Sequence, residues 1–180
     1  MIGILLATGF EEIEAVTVID LLRRAEIKVA VISIEASLEV KGAHGISLKA
    51  DQSLKDMAYE NLSGLVLPGG MPGTKNLLES KAVLDLLNWT NHRNLLISAI
   101  CAAPMVLGEH GFLKNQKATC YPGFEAHLKA CTYLDEKVVE SNNFITSKGP
   151  GTAIDFALAL IKKIKGESVS KQIEDGLCRI

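Results

Sequence analysis

The chain has 180 residues, of which 48% are hydrophobic and 22% charged, and its formal net charge is -2. This length suffices for one full hydrophobic core, so we expect a single domain over residues 1–180. The balanced charge argues against a nucleic-acid-binding surface, and no apolar run reaches the ~18–20 residues of a membrane helix. The N-terminus does not resemble a signal peptide, so we expect a cytoplasmic location.

The N-terminal part predicts a strand–helix–strand unit. Residues 2–7 and 28–34 are almost wholly apolar, as in strands buried on both faces of a sheet, and residues 12–25 between them predict a helix. Apolar residues cover more than half of this helix, which is wider than one sheet face covers. We therefore expect a homodimer that uses the 12–25 helix. Glu11 and Glu12 have a simple interpretation, which is stabilisation of the helix dipole.

A third strand is predicted at residues 64–67, after a hairpin around 38–48 and a helical turn that Ser53 caps. The strand ends in a loop that contains Gly69 and Gly70. Ligands of open α/β sheets bind beyond the carboxyl ends of strands, and glycines let backbone N–H groups approach them closely. A plain turn is the alternative interpretation.

The central stretch places a cysteine between a strand and a helix. Residues 95–100 predict a buried strand, and a helix is predicted from Ala102, with Pro104 in its first turn. Cys101 would then lie on a nucleophile elbow, where the N–H groups of the following helix favour a thiolate with a lowered pKa. The alternative is an inert buried thiol.

The C-terminal part predicts two strands, at 137–139 and 144–146, and two helices, at 153–165 and 167–178. The order of elements predicts an α/β fold with a doubly wound, mostly parallel sheet sandwiched by helices, as in flavodoxin. The pattern favours a cysteine-dependent enzyme or redox protein. No histidine neighbours Cys101 in the sequence, although folding could bring His127 close to it.

The cysteines and histidines show no metal-binding pattern. The cysteines, Cys101, Cys120, Cys131 and Cys178, include no C-x-x-C pair, and the histidines are scattered. We therefore expect no metal and, in a reducing cytoplasm, no disulfide framework.

Four blocks in one order resemble the conserved motifs of the ThiJ/PfpI superfamily, and within it those of the DJ-one (Parkinson-disease protein) subgroup and its bacterial relatives. The blocks lie at residues 9–16 (GFEEIEAV), 67–70 (LPGG), 99–104 (AICAAP) and 146–153 (TSKGPGTA). The resemblance implies a cofactor-independent glyoxalase or deglycase that acts on methylglyoxal, glyoxal or their early adducts. It also implies a protective role in oxidative stress; the alternative is a non-enzymatic redox sensor or redox-regulated chaperone.

The resemblance also assigns the site. Cys101 becomes the nucleophile and Glu14 the acid that hydrogen-bonds its sulfur, a choice among three glutamates that spacing alone leaves open. It assigns oxyanion or substrate binding to the backbone around Gly69, Gly70 and Ala102.

Three further positions are accessory candidates. Tyr121 stands where the animal members of the subgroup have a histidine. His44 falls near the position at which those animal proteins often have an arginine, and Pro150 lies in the fourth block. Ala102 replaces the histidine that follows the cysteine in PfpI-type peptidases, so we do not expect a peptidase.

Overall fold

The computed structural model describes residues 1–178, and seven strands within that range form one sheet. Their spatial order is β10 (Val138–Ser141), β11 (Phe144–Ser147), β7 (Leu96–Ile100), β6 (Gly64–Leu67), β1 (Ile2–Leu6), β2 (Val29–Ser33) and β5 (Gln52–Ser53). Neighbouring strands run parallel except β10 and β11, which form an antiparallel hairpin. The predicted mostly parallel sheet is confirmed.

Two small sheets stand apart from the main one. Antiparallel β3 (Glu39–Lys41) and β4 (Ser47–Lys49) form the predicted hairpin, and β8 (Lys117–Ala118) pairs in parallel with β9 (Thr132–Tyr133). The helices are α1 (Glu12–Arg24), α2 (Gly73–Glu79), α3 (Lys81–His92), α4 (Pro104–Glu109), α5 (Ala153–Lys165) and α6 (Glu167–Gly176). Within residues 1–178 none of these helices combines the length and apolarity needed to cross a bilayer.

Strand β1 lies inside the sheet and has its side chains buried on both sides. Ile4 and Leu6 belong to the cluster that includes residues of α1 and α5, whereas Leu5 and Ala7 belong to the cluster with α3 and α4. All four side chains are fully buried. Burial on both faces explains the unbroken apolar run of this strand, since no position faces water.

Local predictions were wrong in two places. Residues 68–74 were interpreted as a loop, but α2 begins inside that stretch at Gly73. Its Gly-Thr start has a low helix propensity, so packing decides the conformation there. Ser53 was expected to cap a helical turn, but its hydroxyl makes no capping bond and donates instead to Asp56 Oδ2 at 2.6 Å.

Candidate active site

Cys101 lies in the turn between β7 and α4 with a left-handed φ of 65°. Its backbone is held on both sides, because its N–H donates to Ser147 O at 2.9 Å and its carbonyl accepts from Tyr121 N at 2.8 Å. A left-handed conformation costs free energy for a residue with a Cβ, so such contacts are needed to maintain it. Strand, strained cysteine and helix together have the geometry of a nucleophile elbow, as predicted.

The Glu14 carboxyl group reaches Cys101 from the first turn of α1 and is fully buried. Its Oε2 accepts from Gly69 N at 2.7 Å, and the carboxyl group lies beside the Cys101 thiol, whose pKa it raises. A Cβ on Gly69 would lie 2.7 Å from Cys101 Cβ and 2.9 Å from Glu14 Oε2, so the absent side chain permits this approach. Of the three glutamates that spacing left open, Glu14 is the one whose carboxyl group lies next to Cys101.

The backbone N–H groups of Gly70 and Ala102 lie beside the sulfur of Cys101 and act to lower its pKa. Gly70 has a φ of 88°, a conformation that favours glycine. The two donors follow β6 and β7, which are neighbours in the sheet, so their carboxyl ends meet at one edge. An anion that forms next to the sulfur would meet the same two donors.

The expected lowering of the Cys101 pKa is wrong for the folded site. Burial, followed by the charge of Glu14, raises the pKa of the Cys101 thiol. The N–H groups of Ala102 and Gly70 act in the opposite direction but are outweighed, and α4 begins only at Pro104. Burial likewise raises the pKa of Glu14 to about 7, against a smaller lowering by the Gly69 N–H and Cys101.

Tyr121 and Pro150 lie close to the elbow without a side-chain bond to the sulfur in the described part of the chain. The half-exposed ring of Tyr121 lies against Gly149, where an added Cβ would be 3.1 Å from ring atom Cδ2. Pro150 begins a short 3-10 turn (Pro150–Thr152) in the same loop. The two residues therefore border the cysteine turn on the side of β11.

His44 lies on the β3–β4 hairpin and contacts acids other than Glu14. Its Nδ1 is 3.0 Å from Glu12 Oε2 and 3.5 Å from Glu11 Oε2. Glu12 Oε1 accepts from the backbone N–H groups of His44 and Ile46. The interpretation of Glu11 and Glu12 as simple dipole partners is therefore incomplete, because Glu12 ties the hairpin to α1.

Ser147 and Thr152 support the elbow and were not predicted as site residues from the sequence. Ser147, whose carbonyl accepts from Cys101 N, has its hydroxyl 2.7 Å from Thr152 Oγ1, and this network stiffens the fourth sequence block. In the sequence, only their place in the fourth block pointed to Ser147 and Thr152.

His127 contacts Glu109 Oε1 at 2.8 Å, and no contact links it to the thiol within residues 1–178.

This geometry places the chain among flavodoxin-like α/β proteins that carry a cysteine on an elbow beside a buried glutamate. A family comparison is more specific: the model of the DJ-1/PfpI family matches residues 1–163, and the chain belongs to that family.

Individual relatives agree with this membership. Protein dj-1beta of Drosophila melanogaster is 39% identical over 176 residues, which cover 97% of this chain and 94% of the relative. Glutathione-independent glyoxalase DJR-1.2 of Caenorhabditis elegans is 35% identical over 93% of this chain and 90% of its own length. The solved structure of oxidized Toxoplasma gondii DJ-1 is 38% identical, superposes with a TM-score of 0.94, and the match covers 98% of this chain and 96% of that one.

Proposed function

We propose that this protein is a cysteine-dependent, cofactor-independent glyoxalase or deglycase. Its substrates are small dicarbonyls, methylglyoxal and glyoxal, or their early adducts on proteins and nucleotides. The observation that carries the proposal is the approach of the buried Glu14 carboxyl group to Cys101 at Gly69, beside the N–H groups of Gly70 and Ala102. The pair provides a nucleophile and a proton carrier, and the N–H groups provide a site for an oxyanion.

The first step is addition of the Cys101 sulfur to the aldehyde carbon of methylglyoxal. A C–S bond forms, the C=O π pair moves to oxygen, and the thiol proton passes through Glu14 to that oxygen. Gly70 and Ala102 stabilise the developing charge, and a good donor of this kind contributes about 3–4 kcal/mol in other enzymes. With a pKa of about 7, Glu14 can both accept and donate a proton near neutral pH.

The second step moves hydrogen within the bound substrate. Glu14 removes the proton from the former aldehyde carbon and returns it to the neighbouring carbonyl carbon, while the hydroxyl proton of the hemithioacetal passes to the oxygen on that neighbouring carbon. One carbon is thereby oxidised to a thioester and the other reduced to an alcohol, so no external oxidant or reductant is consumed. Water then cleaves the thioester, which releases lactate and regenerates the thiol.

The name of the Caenorhabditis elegans relative supports this reaction class. That protein is called a glutathione-independent glyoxalase, and a glyoxalase without glutathione needs another thiol to bind the aldehyde. In this chain Cys101 would supply that thiol. Ala102 at the position of the peptidase histidine supports our expectation that peptide bonds are not the substrate.

The alternative function is redox sensing or redox-regulated chaperoning through oxidation of Cys101. It is supported by the Toxoplasma gondii neighbour, whose structure is described as oxidized. The N–H groups of Gly70 and Ala102 would stabilise a sulfinate anion on Cys101 as well as an oxyanion of the substrate.

One experiment separates the two functions. We expect metal-free wild-type protein to form lactate from methylglyoxal, and Cys101→Ser to form none above background. Cys131→Ser is the matched control, since Cys131 is a partly buried thiol in the loop before β9. Absence of lactate from well-folded wild-type protein would exclude the glyoxalase and favour the redox function.

We also propose that the protein is a homodimer that associates through α1. On this helix Ile13 and Val16 are 58% and 45% exposed, although both are large and apolar. They extend the wide apolar face from which the sequence predicts a second subunit.

A further inference from the structure

Two large apolar side chains are exposed on either side of the cysteine elbow. The sheet order places β7 between β6 and β11, so Cys101, which follows β7, lies between the loops that follow those two strands. Met71 lies in the loop after β6 and is 49% exposed. Tyr121 is 45% exposed, and its ring lies against Gly149 in the loop after β11. The carboxyl edge of the sheet, where ligands of such folds bind, therefore carries apolar surface on both sides of the thiol.

The position of the Tyr121 ring is fixed by its neighbours. Its backbone N–H donates to Cys101 O at 2.8 Å, which joins the residue directly to the elbow. The ring packs edge-to-face on Phe124, with 6.4 Å between the centroids and 77° between the planes. Phe124 in turn lies 6.0 Å from the ring of His127, whose Nδ1 is 2.8 Å from Glu109 Oε1. A ring supported in this way is preorganised, so little conformational entropy is lost when a ligand packs against it.

Internal packing gives no role to the exposed part of either side chain. The Tyr121 hydroxyl makes no hydrogen bond to another group within residues 1–178, and about half of each side chain is in contact with water. Apolar surface in contact with water is unfavourable, and an apolar group that covers it is stabilised. Exposed apolar surface beside a nucleophile is therefore typical of a ligand-binding groove.

We propose that Met71 and Tyr121 are specificity-determining residues that form the two walls of a subsite for the substituent of the dicarbonyl. The inference rests on the glyoxalase function proposed above and names its substrate class. The substrates are α-ketoaldehydes with a neutral, apolar substituent of about the size of a phenyl ring. Such a ring can pack on Tyr121 in an offset or edge-to-face arrangement and can contact the sulfur of Met71. The methyl group of methylglyoxal covers much less of this surface.

The walls and the reacting groups contact different parts of the substrate. Cys101 and Glu14 act on the aldehyde carbon and its proton, whereas Met71 and Tyr121 contact the substituent. Removal of a wall should therefore change the choice between substrates, mainly through KM, more than it changes the turnover of a small substrate.

The first test compares phenylglyoxal with methylglyoxal as substrates of the full chain. Tyr121→Ala should lower the ratio of the two kcat/KM values, phenylglyoxal over methylglyoxal, by about fivefold or more. Met71→Ala should lower it by about twofold or more. Tyr121→Phe retains the ring and should keep the wild-type ratio. Ile164→Ala, a change at an exposed apolar residue of α5, is the matched control and should also keep it.

A second measurement is independent of turnover. Alkylation of Cys101 by N-phenyl iodoacetamide and by iodoacetamide is followed by mass spectrometry, with the exposed Cys178 as the internal reference. In wild type we expect the preference for the phenyl reagent to be about fivefold or more larger at Cys101 than at Cys178. The excess should disappear in Tyr121→Ala, whose fold circular dichroism verifies, and shrink in Met71→Ala.

Equal preferences at the two cysteines of wild type, or an unchanged preference in Tyr121→Ala, would overturn the subsite. Its failure can be distinguished from failure of the glyoxalase. Wild-type protein that turns over neither dicarbonyl excludes the enzyme, whereas the alkylation comparison still decides whether the subsite exists.

Discussion

At the scale of single residues, the site depends on one proton shared between Cys101 and Glu14. Burial raises the pKa of both groups, and the charge of Glu14 raises the pKa of Cys101 further. The pair therefore loses its first proton with an apparent pKa that belongs to both groups and lies near the value of about 7 found for Glu14. In the proposed mechanism Glu14 would serve as the internal base that allows a buried thiol to react near neutral pH.

Glu14→Gln should remove this base. We expect the pH midpoint of Cys101 alkylation to rise above about 7, because the buried thiol must then ionise without an adjacent proton acceptor. Turnover of methylglyoxal should fall by ~10²-fold or more, the usual contribution of a positioned acid–base group. Iodoacetamide kinetics across pH and a lactate assay measure the two effects.

Glu12→Gln is the control, since it changes a buried carboxylate in the same helical turn that contacts the hairpin instead of the thiol. Its alkylation profile should match that of wild type. If Glu14→Gln turns over methylglyoxal at the wild-type rate, Glu14 is structural and the proposed mechanism is wrong.

Gly69→Ala tests the contact that brings the pair together. The new methyl group would lie 2.7 Å from Cys101 Cβ and 2.9 Å from Ile100 O, too close for either to remain in place. We expect destabilisation of about 1–3 kcal/mol, as for other overpacked sites, and loss of the approach of Glu14 to Cys101. Gly151→Ala, where an added Cβ meets nothing within 4 Å, should leave urea stability and activity unchanged. Equal stability of the two variants would contradict this account of Gly69.

At the scale of elements, the β3–β4 hairpin is attached to α1 by a contact that depends on pH. Hydrogen bonding to Glu12 raises the pKa of His44, and the pKa of Glu12 is lowered by bonds to His44 and to backbone N–H groups, which outweigh its burial. A histidine with a raised folded pKa stabilises fully below its unfolded value, about 6.5, and this stabilisation is lost as the pH rises through the folded value. Glu12 has a lowered folded pKa, so its contribution to stability is present above its unfolded pKa of 4.5 and is lost as the pH falls through the folded pKa.

The difference in unfolding free energy between wild type and His44→Ala should therefore be largest near pH 5–6.5 and shrink at higher pH. Urea unfolding of both proteins across this pH range measures it. His92→Ala is the control, because Nδ1 of His92 contacts the backbone carbonyl of Asn88 instead of a carboxylate. A difference that does not vary with pH would show that His44 makes no ionic contribution.

At the scale of the whole molecule, α1 connects the site to the proposed dimer interface. Glu14 on this helix is buried against Cys101, while Val16, two residues later, is 45% exposed on another face. Burial of the exposed apolar face in a second copy would fix the helix that positions the catalytic carboxyl group.

Val16→Arg should dissociate the dimer, because a charged side chain cannot be buried there without a partner. Light scattering at micromolar concentration should give about twice the 19.4 kDa chain mass for wild type and the chain mass for the variant. Ile164→Arg, a change at an exposed apolar residue of α5, should leave the mass unchanged. A wild-type protein that runs as a stable monomer would exclude the dimer.

The sequence by itself determined the order of the main elements and the position of Cys101. Buried parallel strands leave continuous apolar runs, and Pro104 and Gly70 have backbone preferences that can be recognised from the residue type. The short strands β8 and β9 and the helix α2 were not predicted, because a two-residue strand shows no alternation pattern and α2 begins at Gly73, so packing decides their conformation.

Only the tertiary structure decided how the site is ionised and which acid serves it. Glu11, Glu12 and Glu14 are nearly equivalent in sequence, yet they are directed to different partners because one faces β6 and the elbow and another faces the hairpin. The sign of the Cys101 pKa shift was likewise mispredicted from the sequence. A helix N-terminus can be recognised locally, but burial and the approach of a carboxylate from 87 positions away depend on the folded arrangement.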